Sequence, residues 1–163
     1  MVEVRAERPG EAAAIERVHT LAFGQPDEAF LVRRLRAEGY TIVSMTAIDG
    51  DDIVGHVLFS RLSVPGLEAV SLAPVAVLPE RQRQGIGSEM IRRGLEACRS
   101  SALDVALVVG EPGYYTRFGF SLAVGSQFVC PWSGPYLLGL ELQPGILGSG
   151  TYAVEYPAPF QDS

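Results

Sequence analysis

Val75-Ala76-Val77-Leu78-Pro79-Glu80-Arg81-Gln82-Arg83-Gln84-Gly85-Ile86-Gly87-Ser88 is the stretch that decides how this chain folds. An apolar strand ends at Pro79 and an Arg-rich polar turn follows. Two glycines then open a helix whose apolar positions are Ile86, Met90, Ile91, Leu95 and Cys98. Strand, glycine loop and helix start together aim several backbone N–H groups at one point, and the positive end of the helix dipole adds to them. Such a site suits a phosphate or pyrophosphate. Gly85 and Gly87 carry no Cβ, so a ligand can approach their backbone closely. Arg81 and Arg83 read equally well as solvated surface charges or as partners of the bound phosphates, with the backbone amides mattering more.

Working outward, Leu67 to Leu78 reads as one long strand leading into the loop. Pro74 lies inside it and cannot donate to a ladder, so it marks a bulge or a break in pairing. Downstream, the helix runs to about Arg99. Asp104 to Val109 is a short apolar strand of the kind buried on both faces. Pro112 to Phe118 makes one short helix that Gly119 stops. Upstream, Thr41–Ile48 and Ile53–Val64 are strands joined by the hairpin turn Asp49-Gly50-Asp51-Asp52. Val2 to Glu7 is a first strand. Pro9 suits a helix start, and Ile15, Val18 and Ala22 form a stripe that stops near Gly24. Asp27 caps a second helix bearing Phe30, Leu31 and Leu35 and ended by Gly39. The Gly- and Pro-rich remainder offers strands near Leu137–Leu142 and Thr151–Tyr156 and a loop around Cys130-Pro131-Trp132. With no linker or repeat, the order predicts one mixed α/β domain over 1–163.

Composition narrows the function. The 163 residues suffice for a sizeable core, and 47% hydrophobic against 20% charged residues fits a globular protein. A net charge of −6 disfavours nucleic acid and anionic membranes. All 13 basic residues are Arg. The N-terminus lacks the apolar segment of a signal peptide, and no apolar run approaches a membrane span. Cys98 and Cys130 have no metal or redox spacing, and Cys98 reads as a plain buried thiol. A cytoplasmic setting without a metal is expected.

Gln82-Arg83-Gln84-Gly85-Ile86-Gly87 fits the Gln/Arg-x-x-Gly-x-Gly/Ala motif of the GNAT superfamily of N-acetyltransferases. Tyr115-Thr116-Arg117-Phe118-Gly119-Phe120 resembles that family's second signature, a Tyr four residues before Gly-Phe. A helix and one apolar strand separate the two motifs, as in the family. The Tyr-Tyr-x-Arg-Phe-Gly-Phe form resembles a bacterial subgroup, and the element order resembles the family over all but the last 40 or so residues. The resemblance implies a mixed, mostly antiparallel central sheet flanked by helices and splayed between the fourth and fifth strands. It implies acetyl-coenzyme A (acetyl-CoA) as donor and direct transfer to a primary amine of a small molecule or peptide, with no covalent enzyme intermediate. Its pyrophosphate would sit on Gln82, Arg83, Gln84, Gly85, Ile86, Gly87 and Ser88, and its pantetheine arm would pair with the backbone of Val75 and Val77. A homodimer is compatible with it. The Asn that many members carry at the start of the last helix is missing, so contacts at the pantetheine end do not carry over.

Tyr115 stands at the motif position for the group that assists departure of the coenzyme A thiolate. A free thiol has a pKa of about 8.5 and a phenol about 10, so a Tyr can donate to it. The bland reading of Tyr115 is a core aromatic, and Tyr114 is the substitute. For the base that relieves the amine of its proton, Glu28, Glu111 and His56 are available. Their bland readings are a helix-start charge, a cap of the short helix and a strand residue, and a water relay is the alternative to all three. Two rival readings stand against this one. One is a non-catalytic acyl-coenzyme A binding or sensing module. The other, a dinucleotide-binding domain, fails because Met90 stands where its third Gly belongs and because the loop follows a late strand.

Overall fold

The tight turn at Gly50 (φ 63°) folds two alternating segments against each other, and the rest of the sheet grows from that hairpin. In the computed structural model, which describes residues 1–162, the elements follow the chain as β1 (Val2–Ala6), α1 (Ala12–Phe23), α2 (Asp27–Ala37), β2 (Thr41–Asp49), β3 (Asp52–Val64), β4 (Leu67–Val77), α3 (Ile86–Ser100), β5 (Val105–Val109), α4 (Pro112–Tyr115), α5 (Leu122–Gly125), β6 (Phe128–Val129), β7 (Leu137–Glu141), β8 (Tyr152–Ala153) and α6 (Ala158–Gln161). Six strands form one sheet in the order β1-β2-β3-β4-β5-β7. Within this sheet every pairing is antiparallel except β4 with β5.

The expected splay is present. β5 pairs with β4 only at Ala69–Val105, Val70–Ala106 and Ser71–Leu107. From Leu72 to Val77 the edge of β4 that faces β5 has no strand beside it. On its other edge β4 stays paired with β3, but the register jumps between Phe59–Leu72 and Val57–Val75. The bulge therefore falls on Ala73 and Pro74, as a proline without an N–H requires.

Alternation along β3 sorts the two layers. Gly55, Val57 and Phe59 face α3: a Cβ on Gly55 would meet the Met90 side chain at 2.9 Å, and one on Gly94 would meet the Phe59 ring at 2.3 Å. His56 and Leu58 face the opposite way, toward α1 and α2, where Leu58 joins Ile15, Val32 and Leu35 in a buried cluster. The α3 stripe read from the sequence is buried throughout: Ile86, Met90, Ile91, Leu95 and Cys98 are at most 6% exposed. Burial pushes the Cys98 thiol up to about 12, which makes it an unreactive packing group.

Three local expectations are corrected. α1 begins at Ala12 rather than Pro9, because Gly10 (φ 87°) first turns the chain. Asp27 is the first residue of α2 and makes no capping hydrogen bond; Pro26 holds the cap position. The strand expected over Thr151–Tyr156 shrinks to Tyr152–Ala153, paired with β6 in a separate two-stranded sheet. Among the described residues no helix is long and apolar enough to cross a membrane.

Candidate active site

Beyond Val77 the chain makes a 3-10 turn at Pro79–Arg81 and enters α3 through Gly85, whose φ of 81° suits a residue without a Cβ. The amide of Glu89 is the first of the helix to reach a carbonyl, that of Gly85 at 3.1 Å. The amides from Gly85 to Ser88 have no hydrogen-bond partner among the described residues. They open on a cleft of about 480 Å³ lined by Val77, Gln82, Arg83, Gly85, Ile86, Gly87 and Ser88. A Cβ on Gly87 would stand 3.7 Å from Val77 and 3.8 Å from the Tyr114 hydroxyl, so anything longer would occupy the cleft. Gln84 and Val75 lie outside this lining; Val75 sits on the unpaired edge of β4 that leads into it. The Val77 carbonyl accepts the Gln82 side-chain amide at 3.0 Å.

The arginines divide. Arg81 is held by Asp49 at 2.7 Å, which fixes the turn to the β2–β3 hairpin and keeps the Asp49 carboxyl below its ordinary range. Arg83, with φ 64°, is exposed at the cleft and has no side-chain partner among the described residues. Arg92 stacks on Phe118, its guanidinium carbon 5.4 Å from the ring centre. Arg33, Arg34 and Arg36 are all ion-paired, with Glu16, with Glu38 and Asp162, and with Glu7.

The tyrosine pair separates into two positions. Tyr114 faces the cleft, its hydroxyl 2.9 Å from Ser88 Oγ, with the Arg117 guanidinium over its ring at 4.4 Å. Sequence reasoning did not assign Tyr114 and Arg117 to this wall; their spacing of three on a short helix was the available signal. Tyr115 is outside that lining and packs beside Gly110 at the end of β5. A Cβ on Gly110 would stand 2.4 Å from its ring, and Phe120 packs edge-on at 6.0 Å. Its hydroxyl has no hydrogen bond among the described residues. Burial, with Tyr114 beside it, raises its pKa to about 12.

The acids stand apart. Glu111 caps α4 through its backbone carbonyl, which accepts from Tyr114 and Tyr115 at 3.0 and 3.1 Å, and its side chain is exposed. Glu28 lies in the first turn of α2 and accepts from Gln25 at 3.2 Å. No contact joins either carboxylate to Tyr115. His56 is fully buried on the α1 side of β3 against His19. Among the described residues no group of three or more His, Cys, Asp or Glu is placed to hold a metal.

Comparison with known proteins identifies the fold. Residues 3–123 match the profile of the acetyltransferase (GNAT) domain family. The chain belongs to the GNAT family. Its GNAT domain is 32% identical over 134 residues to the uncharacterized N-acetyltransferase YhbS of Escherichia coli, covering 80% of each chain. It is 37% identical over 124 residues to the uncharacterized N-acetyltransferase YjhQ of the same organism, covering 72% of this chain and 68% of that one. The crystal structure of E. coli YhbS in complex with CoA superposes with a TM-score of 0.91 at 30% identity over 98% of this chain and 92% of that one. A GNAT-family acetyltransferase from Brucella melitensis, in complex with acetyl-CoA, gives 0.82 at 32% identity over 98% of both chains. Membership places this GNAT domain among acyltransferases.

Proposed function

We propose that this chain transfers an acetyl group from acetyl-CoA to a primary amine of a small molecule or peptide, by direct attack and without a metal. The observation that carries the reading is the continuity of two features: unpartnered amides at the start of α3, and an unpaired β4 edge running into the same cleft. The amides and Arg83 would hold a pyrophosphate. The edge through Val75 and Val77 would pair with an amide-bearing arm, the Gln82 side chain yielding the Val77 carbonyl. The two solved relatives bound to CoA and acetyl-CoA support the same ligand.

Chemically, the acetyl group supplies the electrophile and the chain supplies position and polarity. A backbone N–H of β4, near Val75 to Val77, would polarise the carbonyl. Fixing both reactants in one cleft contributes much of the rate. Tyr115 would hydrogen-bond the departing sulfur. With a pKa near 12 against about 8.5 for an ordinary thiol, full proton transfer from Tyr115 runs uphill. Its part is therefore a hydrogen bond that strengthens as charge develops. Glu28 and Glu111 would draw the cationic amine toward the site electrostatically.

The test is a titration of acetyl-CoA by calorimetry, followed by a panel of amine classes read by thiol release. Binding with amine-dependent thiol release is expected. Binding without release for any amine would favour the acyl-coenzyme A sensing module; no binding would remove both readings.

A further inference from the structure

Acetyl transfer to an amine needs a group that accepts the amine's proton, and the molecule buries an unused base close to the unpaired strand. His19 on α1 and His56 on β3 are both fully buried. His19 Nε2 lies 2.8 Å from His56 Nδ1, and His56 Nε2 lies 2.8 Å from Ser44 Oγ on β2. Ser44 in turn hydrogen-bonds the Glu7 carboxylate, which Arg36 of α2 holds at 2.7 Å. The far nitrogen of the first ring, His19 Nδ1, is buried and has no partner among the described residues.

Donor and acceptor chemistry gives this chain a direction. A carboxylate only accepts, so the single Ser44 hydroxyl proton goes to Glu7. Ser44 Oγ must then accept from His56, which puts the His56 proton on Nε2 and leaves Nδ1 bare. His56 Nδ1 accepts from His19, which puts the His19 proton on Nε2. His19 Nδ1 is therefore left with an unpaired lone pair enclosed in the protein. Both rings are uncharged at neutral pH. Burial, helped by the Arg36 charge, lowers His19 to about 4 and holds His56 well below its ordinary value. The charged groups facing the pair are Arg36 from α2 and Glu7 from the loop after β1.

The position fits the reaction. His56 pairs with Ala76, the residue between Val75 and Val77, and shares its face of the sheet. His19 lies four residues before Phe23, where the connection to α2 begins. Resting on the function proposed above, we propose that His19 Nδ1 receives the proton of the attacking amine through one water, and that His56, Ser44 and Glu7 relay it outward. As the amine nitrogen bonds to the acetyl carbon, its N–H bond breaks and the proton reaches His19 Nδ1. The His19 Nε2 proton moves to His56 Nδ1, the His56 Nε2 proton to Ser44 Oγ, and the Ser44 proton to Glu7. One proton enters and one is held at Glu7, the partly exposed end of the chain. Each ring changes tautomer and neither becomes a buried cation. His56, Ser44 and Glu7 are positioning residues that act through His19.

The test compares acetyl transfer to benzylamine, whose neutral form attacks after the ammonium has lost one proton to solvent and whose adduct must then lose a second, with transfer to aniline, which is neutral at pH 7 and whose adduct loses its proton readily to water. His19→Gln should lower kcat/KM for benzylamine at pH 7 by about 100-fold. The loss should shrink as pH rises and leave aniline within a few-fold. Ser44→Ala, which cuts the relay without disturbing the packing of His19, should give the same pattern at about 10-fold. Equal losses on both amines, or no loss in Ser44→Ala, would overturn the relay. If the wild type acetylates neither probe, the acceptor class is decided by the amine panel above, and the relay by nitrogen-15 spectra of the chain's two histidines. Both should be neutral with the proton on Nε2 at pH 7; a proton on Nδ1 of either ring refutes it.

Discussion

Neighbouring residues at Tyr114 and Tyr115 have different surroundings, and different consequences follow for each. Tyr115→Phe keeps the ring that fills the space beside Gly110 and removes only the hydroxyl. Turnover should fall by about 10²-fold, toward the weak end for a lost donor because water can replace part of it. Affinity for acetyl-CoA should hold; steady-state kinetics beside calorimetry separates the two. Tyr114→Phe removes the hydrogen bond to Ser88 at the cleft wall and should weaken cosubstrate binding while sparing turnover at saturation. If Tyr114→Phe is the variant that loses turnover, the assignment moves by one residue. Because burial holds Tyr115 near 12, the rate should show no loss from phenol ionisation up to pH 10. Gly87→Glu places bulk and negative charge in the cleft beside unpartnered amides. It should abolish measurable acetyl-CoA binding in a protein whose melt is otherwise normal, and unchanged affinity would remove the loop from the site.

At the scale of elements, α3 is held against β3 by two close approaches, and Gly94 tests how tightly. Alanine is the better helix former by about 1 kcal/mol. Its Cβ, however, would stand 2.3 Å from the buried Phe59 ring, and overpacking a core typically costs about 1–3 kcal/mol. Gly94→Ala should therefore lower stability on balance, as urea denaturation will show; a gain would mean Phe59 has room to move. This contact was not legible in the sequence, because it joins residues 59 and 94 through space. Local signals were legible. The Gly85–Gly87 loop, the α3 stripe and the break at Pro74 each follow from a few adjacent residues. Tyr114 and Tyr115 resisted because a one-turn helix gives no periodicity from which to tell its faces. The His19–His56 pair resisted for the opposite reason: 37 positions separate two residues that only the packing of α1 on β3 brings together. The C-terminal part resisted because β6 and β8 are two residues each and are defined by their pairing alone.

For the molecule as a whole, the buried histidines set an acid limit. His19 titrates near 4 when folded and at about 6.5 when unfolded, so above pH 6.5 both states are neutral and its contribution is complete. As pH falls from about 6.5 to 4, the unfolded chain takes up the proton that the folded chain refuses, and stability drops by about 3 kcal/mol from this residue. His56 acts in the same direction. Urea melts at pH 7.5 and pH 4.5 should differ accordingly, and His19→Gln should narrow the gap; a pH-independent midpoint would contradict the burial. The splay described above has a mechanical meaning as well. β4 and β5 are stitched at three residue pairs, reinforced beside them by the hydrogen bond from the Glu68 amide to the Asp104 carboxylate. All of these lie toward the start of β4. The two halves of the sheet are thus the jaws of a peg, pinned at one end and free at the other. A ligand gripped between the free ends works as a brace. Loading with acetyl-CoA should slow hydrogen exchange through β5 and on into β7, because stiffening one jaw against the other damps the hinge they share.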